Sequence, residues 1–518
     1  MKNKIFTAIF ILLLSNIYAQ TIKVVWGTEY KNEKKETIGN VLYDDGINVF
    51  ATLTTSEGGI FSKVRVTPTI VKFDHDMVPV KRRDYASDEK DLLYHGTYYI
   101  QGKFFMVTSR FEKRTNSREL YAQKFDKDLE PDGRPQLLWK VVGVKGEDVS
   151  LIFRFSEDST KFMIAAIADQ KKKENKNFAL NVFNGDLKSV FEKAYEFQIP
   201  EEGMQIMNVE VNDKSDVFIL YKAYKEGKYG KDEMKVDGKK IAAYDIRIKK
   251  FSPDNSEKES TIDLGGRFLL RTYEKDDRQG NLLVLASYEN DFEKGINGYV
   301  YMKIDAKTGN ITPGSDWEIP MELYIRLNLI QDDKPKSKQP AINRYFSVSD
   351  FNVNADGSVN VILEKNYSIT YSGKVNYTAY YSEGMIELAI DNSGKVSWYK
   401  YIPKLQLMND LRTYIYHAAM FANGKTYILF NDEMKNENYD YENSKKSPKR
   451  FDERKKMNLR LVEIDKNGNL TTSIFGNSET METTIDMLLT KQISSTRMVL
   501  CGYKYKNSEV KLGTANFE

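Results

Sequence analysis

The chain repeats itself, and the repeat constrains its fold more than any other feature of the sequence. One unit, Phe268 to Pro320, reads FLLRTYEKDDRQGNLLVLASYENDFEKGINGYVYMKIDAKTGNITPGSDWEIP. Apolar residues alternate in FLLRTY, LLVLASY, YVYMKI and the stretch around Trp317, and the clusters DDRQGN, ENDFEKGING and DAKTGN separate these runs. Alternation at period two over runs this short predicts strands, and turn-rich clusters between them predict hairpins. Each unit therefore supplies four antiparallel strands.

The turn before the last strand recurs most visibly. Ile304-Asp305 to Gly309, Ile390-Asp391 to Gly394 and Ile464-Asp465 to Gly468 each carry an apolar residue, Asp and then Gly. Asp can accept a hydrogen bond from its own backbone two residues on, and Gly supplies the positive φ that closes the turn. Looser copies are Phe73-Asp74, Phe125-Asp126 with Gly133, Phe183-Asn184 with Gly185, and Phe251-Ser252 with Asp254. A second echo, Phe197 to Pro200, Trp317 to Pro320 and Tyr401 to Pro403, is expected to end the fourth strand, where an outer edge tolerates proline.

The first turn of each unit gives the count. It falls near positions 45, 102, 158, 214, 280, 357, 424 and 495, in steps of 56 to 77 residues, so eight units follow. The last has strands near Ile485 to Ile493, Arg497 to Tyr505 and Val510 to Phe517, and lacks a fourth. At the other end, residues 21–27 (TIKVVWG) alternate with no unit of their own. Four-stranded antiparallel units in series predict an all-β, eight-bladed β-propeller over residues 20–518, with the N-terminal strand completing the last blade and hiding both edges. Seven blades is the alternative, because the first unit, Val41 to Asp84, is the least regular copy.

The turn Phe155 to Asp158 before Phe162 to Ala166, and Asn354 to Gly357 before Val359 to Leu363, resemble the turn repeat of TolB-like bacterial propellers. Residues 1–19 combine basic Lys2 and Lys4, an apolar run from Ile5 to Leu14, and small Ser15 and Ala19, the three-part pattern of a secretory signal peptide cut after Ala19. That apolar run is shorter than the ~20 residues a membrane-spanning helix needs. A Gln20 start in a Lys/Asn/Tyr-rich chain resembles exported Bacteroidota proteins. With no Cys at the cut and a repeat copy in place of a C-terminal sorting domain, a periplasmic address is expected, ahead of secretion or the cell surface.

Expansion falls on one set of connections, those joining strands two to three and four to one: 169–177, 225–240, 321–343, 367–383 and 431–457. In a propeller these share a face, and long loops are uncommon unless used. Tyr367, Tyr371, Tyr377, Tyr380 and Tyr381 crowd one loop, either as a recognition surface or as residues pairing across a hairpin. The 431–457 loop holds Tyr439 and Tyr441 in an acidic half, and Lys445, Lys446, Arg450 and Arg454 in a basic half. It reads as a mobile solvated excursion, or as an arm that orders on a partner. In 321–343, Met321, Leu323, Ile325, Leu327 and Leu329 alternate, which predicts an extra rim strand or a strand offered to another protein's sheet.

Chemistry finds little foothold. No G-x-S-x-G, H-E-x-x-H, Walker or paired C-x-x-C motif occurs, and His75, His95 and His417 fall in different units as turn or core residues. Asp128, Glu130, Asp132 and Gly133 imitate the opening of a calcium loop, but position twelve is Trp139 rather than Glu. The propeller turn of the sialidase type lacks its closing aromatic. Cys501 reads as a small buried hydrophobe. Of 77 Lys+Arg, two lie in the leader, leaving 75 against 74 Asp+Glu, so bulk charge gives no reason for a nucleic-acid or anionic-membrane partner. The expectation is a non-enzymatic binding or scaffold protein of the cell envelope, with no cofactor or metal and no membrane insertion. Its partner would be another envelope protein, such as an outer-membrane translocon that it caps or assists. A propeller enzyme or glycan binder using the central channel is the alternative.

Overall fold

The computed structural model describes residues 22–31, 36–57, 65–85, 92–142, 149–168, 171–327, 341–373, 376–504 and 509–517. The leader and most of 328–343 lie outside these residues. Eight antiparallel four-stranded sheets follow one another along the chain and form a ring. Blade 5, the unit quoted above, comprises Phe268–Asp276, Leu282–Glu289, Gly298–Ile304 and Ile311–Glu318, paired in that order. Blade 1, the irregular copy, has all four strands, Glu36–Asp44, Val49–Glu57, Arg65–Phe73 and Pro79–Asp84, so the ring has eight blades and not seven.

The turn chemistry works as the sequence implies. Asp391 Oδ1 accepts from the backbone N–H of Ser393 and Lys395, both at 2.9 Å, and Gly394 turns the chain at φ +84°. Asp305 and Asp465 repeat the arrangement in blades 5 and 7.

Packing closes the circle. The buried core divides into eight clusters, each shared by two neighbouring blades, and the one joining last to first packs Val499, Cys501, Val510 and Leu512 against Val49, Val71 and Phe73. Cys501 is fully buried there. The N-terminal strand Lys23–Lys31, longer than expected, lies antiparallel on Glu509–Asn516, with Val25 opposite Thr514. The inner strand of blade 8 is split into Thr483–Ile485 and Lys491–Gln492.

Four expectations are corrected. Met321–Arg326 is a short helix, not a strand: it buries adjacent Leu323 and Tyr324 on the blade 5/6 cluster while Met321 and Ile325 remain exposed, a placement that alternation cannot give. Pro403 does not end its strand, because the outer strand of blade 6 runs from Val396 to Asn409. A bulge opposite Gly384 carries the proline through. The tyrosine-rich segment is not a loop: the hairpin reading of its tyrosines holds, as the far end of Val359–Tyr371 with Tyr377–Ile390. Residues 431–457 form a packed excursion with Tyr441 and Phe451 buried, rather than a solvated one.

Candidate functional site

Three of the insertions meet at the rim of blades 5 to 7 and enclose a groove of ≈ 580 Å3. The helix supplies Glu322, Ile325, Arg326 and Leu327, and the base of the blade 6 hairpin supplies Lys365, Glu383 and Gly384. The outer strand of blade 6 contributes Tyr401, Pro403 and Leu405, while the blade 7 excursion contributes Tyr439, Glu442, Lys445, Lys446 and Pro448. Such a volume lies within the ordinary range for ligand pockets, and its mix of an apolar floor with a few charged groups suits recognition.

Each wall is fixed by its own bonds. The Arg326 guanidinium sits 5.3 Å over the Tyr401 ring and donates to the Glu442 carbonyl at 2.8 Å. Lys400 Nζ pairs with Glu442 Oε1 at 2.9 Å, and Tyr439 Oη donates to the Lys446 carbonyl at 2.6 Å. Lys365 pairs with Glu383, which also accepts from Tyr367 Oη at 2.9 Å. Gly384 has φ +61°, and a Cβ there would stand 2.9 Å from the Tyr401 ring, so the groove floor requires a glycine on both counts. Lys445 and Lys446 are exposed, and among the described residues neither has a carboxylate within ion-pair distance. The open rim is therefore positive.

The sequence candidates separate into three groups. Tyr439, Lys445 and Lys446 line the groove. The hairpin tyrosines mostly pair with one another: Tyr367 stacks on Tyr381 at 4.6 Å and 3°, Tyr345 covers the other side at 5.2 Å, and Tyr371 stacks on Tyr377 at 4.9 Å. Tyr380 packs on the cluster between blades 7 and 8. The remainder hold the excursion in place. Tyr441 is buried, donates to Asp432, and lies 5.0 Å under the Arg460 guanidinium. Arg454 donates to the carbonyls of Tyr503 and Lys504 in blade 8, and Arg450 pairs with Asp452. Sequence reasoning missed Glu322, Arg326, Lys365, Glu383, Tyr401 and Glu442. Lys365, Glu383 and Tyr401 share blade 6, but Glu322 and Arg326 come from the connection between blades 5 and 6 and Glu442 from blade 7, and only the ring brings these three parts together.

A second concentration of charge lies between blades 6 and 7. His417 Nε2 is 2.8 Å from Asp350 Oδ2 and Nδ1 is 3.2 Å from Glu364 Oε2. Glu364 also pairs with Lys404 and accepts from Ser382 and Asn366, both at 2.8 Å. Burial opposes charge on Glu364, Lys404 and His417 alike. It pushes Glu364 up, but Lys404 and His417 outweigh it and hold the carboxyl far below its usual range. Burial lowers the Lys404 ammonium, and the Glu364 charge pulls it back. Burial would likewise depress His417, but Glu364 and Asp350 raise it to about 9. A histidine 2% exposed, charged at neutral pH and engaged at both nitrogens is a structural cation rather than a general base.

His95 is the opposite case: burial, with the Arg118 charge, pushes it down to about 4, and its Nε2 bonds Ser109, which is fully buried and out of a substrate's reach. On the innermost strands of blades 3 to 5, Arg154 Nε lies 3.3 Å from Glu210 Oε1, and Asn208 Nδ2 bridges Glu210 and Glu274. Burial raises Glu210, and it pushes Glu274 to about 7. The calcium-like turn is occupied by ion pairs instead: Glu130 with Lys81 and Arg83, and Asp128 with Lys72, join blade 2 to blade 1. Among the described residues no group of three or more potential metal ligands converges, and no helix is long and apolar enough to cross a membrane.

No protein-family model matches the chain, and no curated protein does. Among solved structures, the chain is similar to the β-propeller domain of the Trilobed protease from Pyrococcus furiosus, at 12% identity over 83% of this chain and 95% of that one, with TM-score 0.33. Polysaccharide lyase Uly1 is similar at 9% identity over 84% and 94%, TM-score 0.38. The WD40 domain of SCAP from fission yeast is similar at 6% identity over 95% and 97%, TM-score 0.36. At these identities and scores the likenesses carry no inference about activity, and the strand topology itself establishes an eight-bladed β-propeller.

Proposed function

We propose that this protein is an exported, non-enzymatic binding module of the cell envelope, which docks a protein partner in the groove at the rim of blades 5 to 7. One observation carries the reading: insertions that leave three different blades converge on a single cavity with a positive rim. The leader pattern of residues 1–19 and the Bacteroidota-like composition support a periplasmic address, and the TolB-like turns fit a soluble bacterial propeller. An outer-membrane translocon that the ring caps or assists would suit that address. The test is co-purification from envelope extracts with the full chain and with Lys445→Glu/Lys446→Glu. Both lysines are exposed, so the variant keeps its fold. Loss of a reproducible membrane-protein partner is expected, and an unchanged partner set sinks the reading.

A second reading, chemistry or glycan binding in the central channel, is favoured by Arg154 beside the Glu210–Glu274 pair, where burial raises Glu274 to about 7. It requires turnover or binding of some polysaccharide by the full chain that Glu274→Gln removes. A panel on which the unaltered protein is inert rejects it.

A further inference from the structure

The blade 6 edge that floors the groove is an open strand edge with a partner already started on it. The outer strand Val396–Asn409 has its third-strand neighbour on one side only. On the other side Phe451 forms an isolated parallel bridge: Phe451 N–H donates to the Leu405 carbonyl at 3.0 Å, and Leu407 N–H donates to the Phe451 carbonyl at 2.9 Å. Beyond Leu405, toward Tyr399, the pairing stops. Among the described residues no strand continues it, and Tyr401, Pro403, Lys404 and Leu405 instead line the groove together with Asn443 to Pro448. The excursion thus touches the edge at one residue and then leaves it, with the cavity between.

Unpaired edges of this kind are templates for strand addition, even where, as here, Ile402, Pro403 and Lys404 lie buried, and proteins protect those they do not use with charge, proline or cover. Here Phe451 blocks one end and Pro403 interrupts the middle. The rim above the open stretch sets two uncompensated lysines, Lys445 and Lys446, against one exposed carboxylate, Glu322, while Glu383 and Glu442 are held by Lys365 and Lys400. Complementary charge on an incoming chain is therefore negative. Apolar Pro403, Leu405 and Pro448 lie in the same lining, ready to receive a side chain from the other face of that segment.

We propose that the groove takes an extended acidic segment of a partner protein, which adds as a parallel strand to the outer edge of blade 6 between Tyr399 and Leu405 and sets its carboxylates against Lys445 and Lys446. The inference rests on the docking reading above and specifies its mode and chemistry. Its strand-like geometry follows from the Phe451 bridge, and its sign from the two lysines.

The test uses the full chain and three fluorescein-labelled probes: an eight-residue peptide alternating Val and Glu, its Val/Lys counterpart, and the Val/Glu peptide with a central proline. Anisotropy should show saturable binding of the first below 1 mM. The other two should bind at least tenfold more weakly, and Lys445→Glu/Lys446→Glu should cost the first peptide at least tenfold. Hydrogen exchange should slow at Tyr399 to Leu405 on binding. No binding of the Val/Glu peptide, equal binding of the Val/Lys or proline probes, or protection confined to 441–450 overturns strand addition. The co-purification experiment keeps the two ideas apart, because a partner lost on lysine reversal while every peptide fails leaves docking standing and removes this mode. Self-association of the chain seen by sedimentation, abolished by the same reversal, would make a second copy the occupant and also overturn the proposal.

Discussion

At the scale of single residues, buried charge decides what this protein does with pH. His417 holds its proton more tightly folded than unfolded, so its stabilising contribution is full below about 6.5 and disappears as pH rises through about 9. The loss is on the order of 3 kcal/mol at most. Thermal unfolding should show a fall in melting temperature between pH 7 and 9.5 that a His417→Asn variant lacks, and identical slopes for both would refute the charge assignment. Glu387 behaves differently. Fully buried, it accepts from Asn360 Nδ2 at 2.9 Å and Thr426 Oγ1 at 2.6 Å with no cation beside it, and burial raises it to about 7. It too is stabilising below its unfolded value of 4.5, and that benefit is lost as pH climbs through 7. Glu387→Gln keeps the accepting oxygen without the titration, and should exceed the natural chain by about 1–3 kcal/mol at pH 8 but not at pH 5. Neither role was legible in the sequence. His417 reads there as an isolated turn or core residue, because its partners Asp350 and Glu364 lie 67 and 53 positions upstream and meet it only across two blades.

At the scale of elements, local pattern predicted whatever local physics determines. Hairpin turns built on Asp and Gly were legible because the hydrogen bonds that make them join residues two to four apart. The helix at Met321–Arg326 was not, because its alternation satisfies a strand and only the burial of Leu323 and Tyr324 on a neighbouring blade selects the helix. The 431–457 excursion shows the same limit. Its charge pattern predicts solvation, yet Tyr441 inserts between blades 6 and 7, Phe451 joins the cluster between blades 7 and 8, and the two fix the backbone that presents Lys445 and Lys446. Phe451 is fully buried, so Phe451→Ala should cost about 3–5 kcal/mol of local stability through the cavity it leaves. Trypsin should then cut at Lys445 to Arg450 far faster than in the natural chain while the other blades resist. Equal cleavage rates would show that the excursion is not held by this anchor. The tyrosine hairpin makes a gentler prediction of the same kind: Tyr367→Ala removes stacking against both Tyr345 and Tyr381 and should lose about 0.5–1.5 kcal/mol beyond simple burial, read by chemical denaturation.

At the scale of the whole molecule, the sequence was most informative, since a repeat count and a missing strand are global facts written in one dimension. Eight first turns located eight blades, and the strand left over at one end matched the strand missing at the other. The groove stayed hidden for the converse reason: its walls derive from three blades, and no spacing in the chain records their convergence. Closure is also where the molecule is most exposed to failure. Among the described residues only strand Lys23–Lys31 covers the outer edge of Glu509–Asn516, and Trp26 packs so tightly over Gly513 that a Cβ there would stand 2.7 Å from its ring. Without that strand, the edge from Glu509 to Asn516 has unpaired backbone groups, and the cluster between blades 7 and 8 loses Val24 and Trp26 from its cover. A chain beginning after residue 31 should therefore melt well below the intact protein and associate through the open edge, as sedimentation would show. A synthetic peptide of residues 22–31 added in trans should restore both properties, because it can rebuild the same antiparallel ladder without a covalent link. A truncated chain that melts with the intact one would mean that blade-to-blade packing holds the ring and the closing strand merely decorates it.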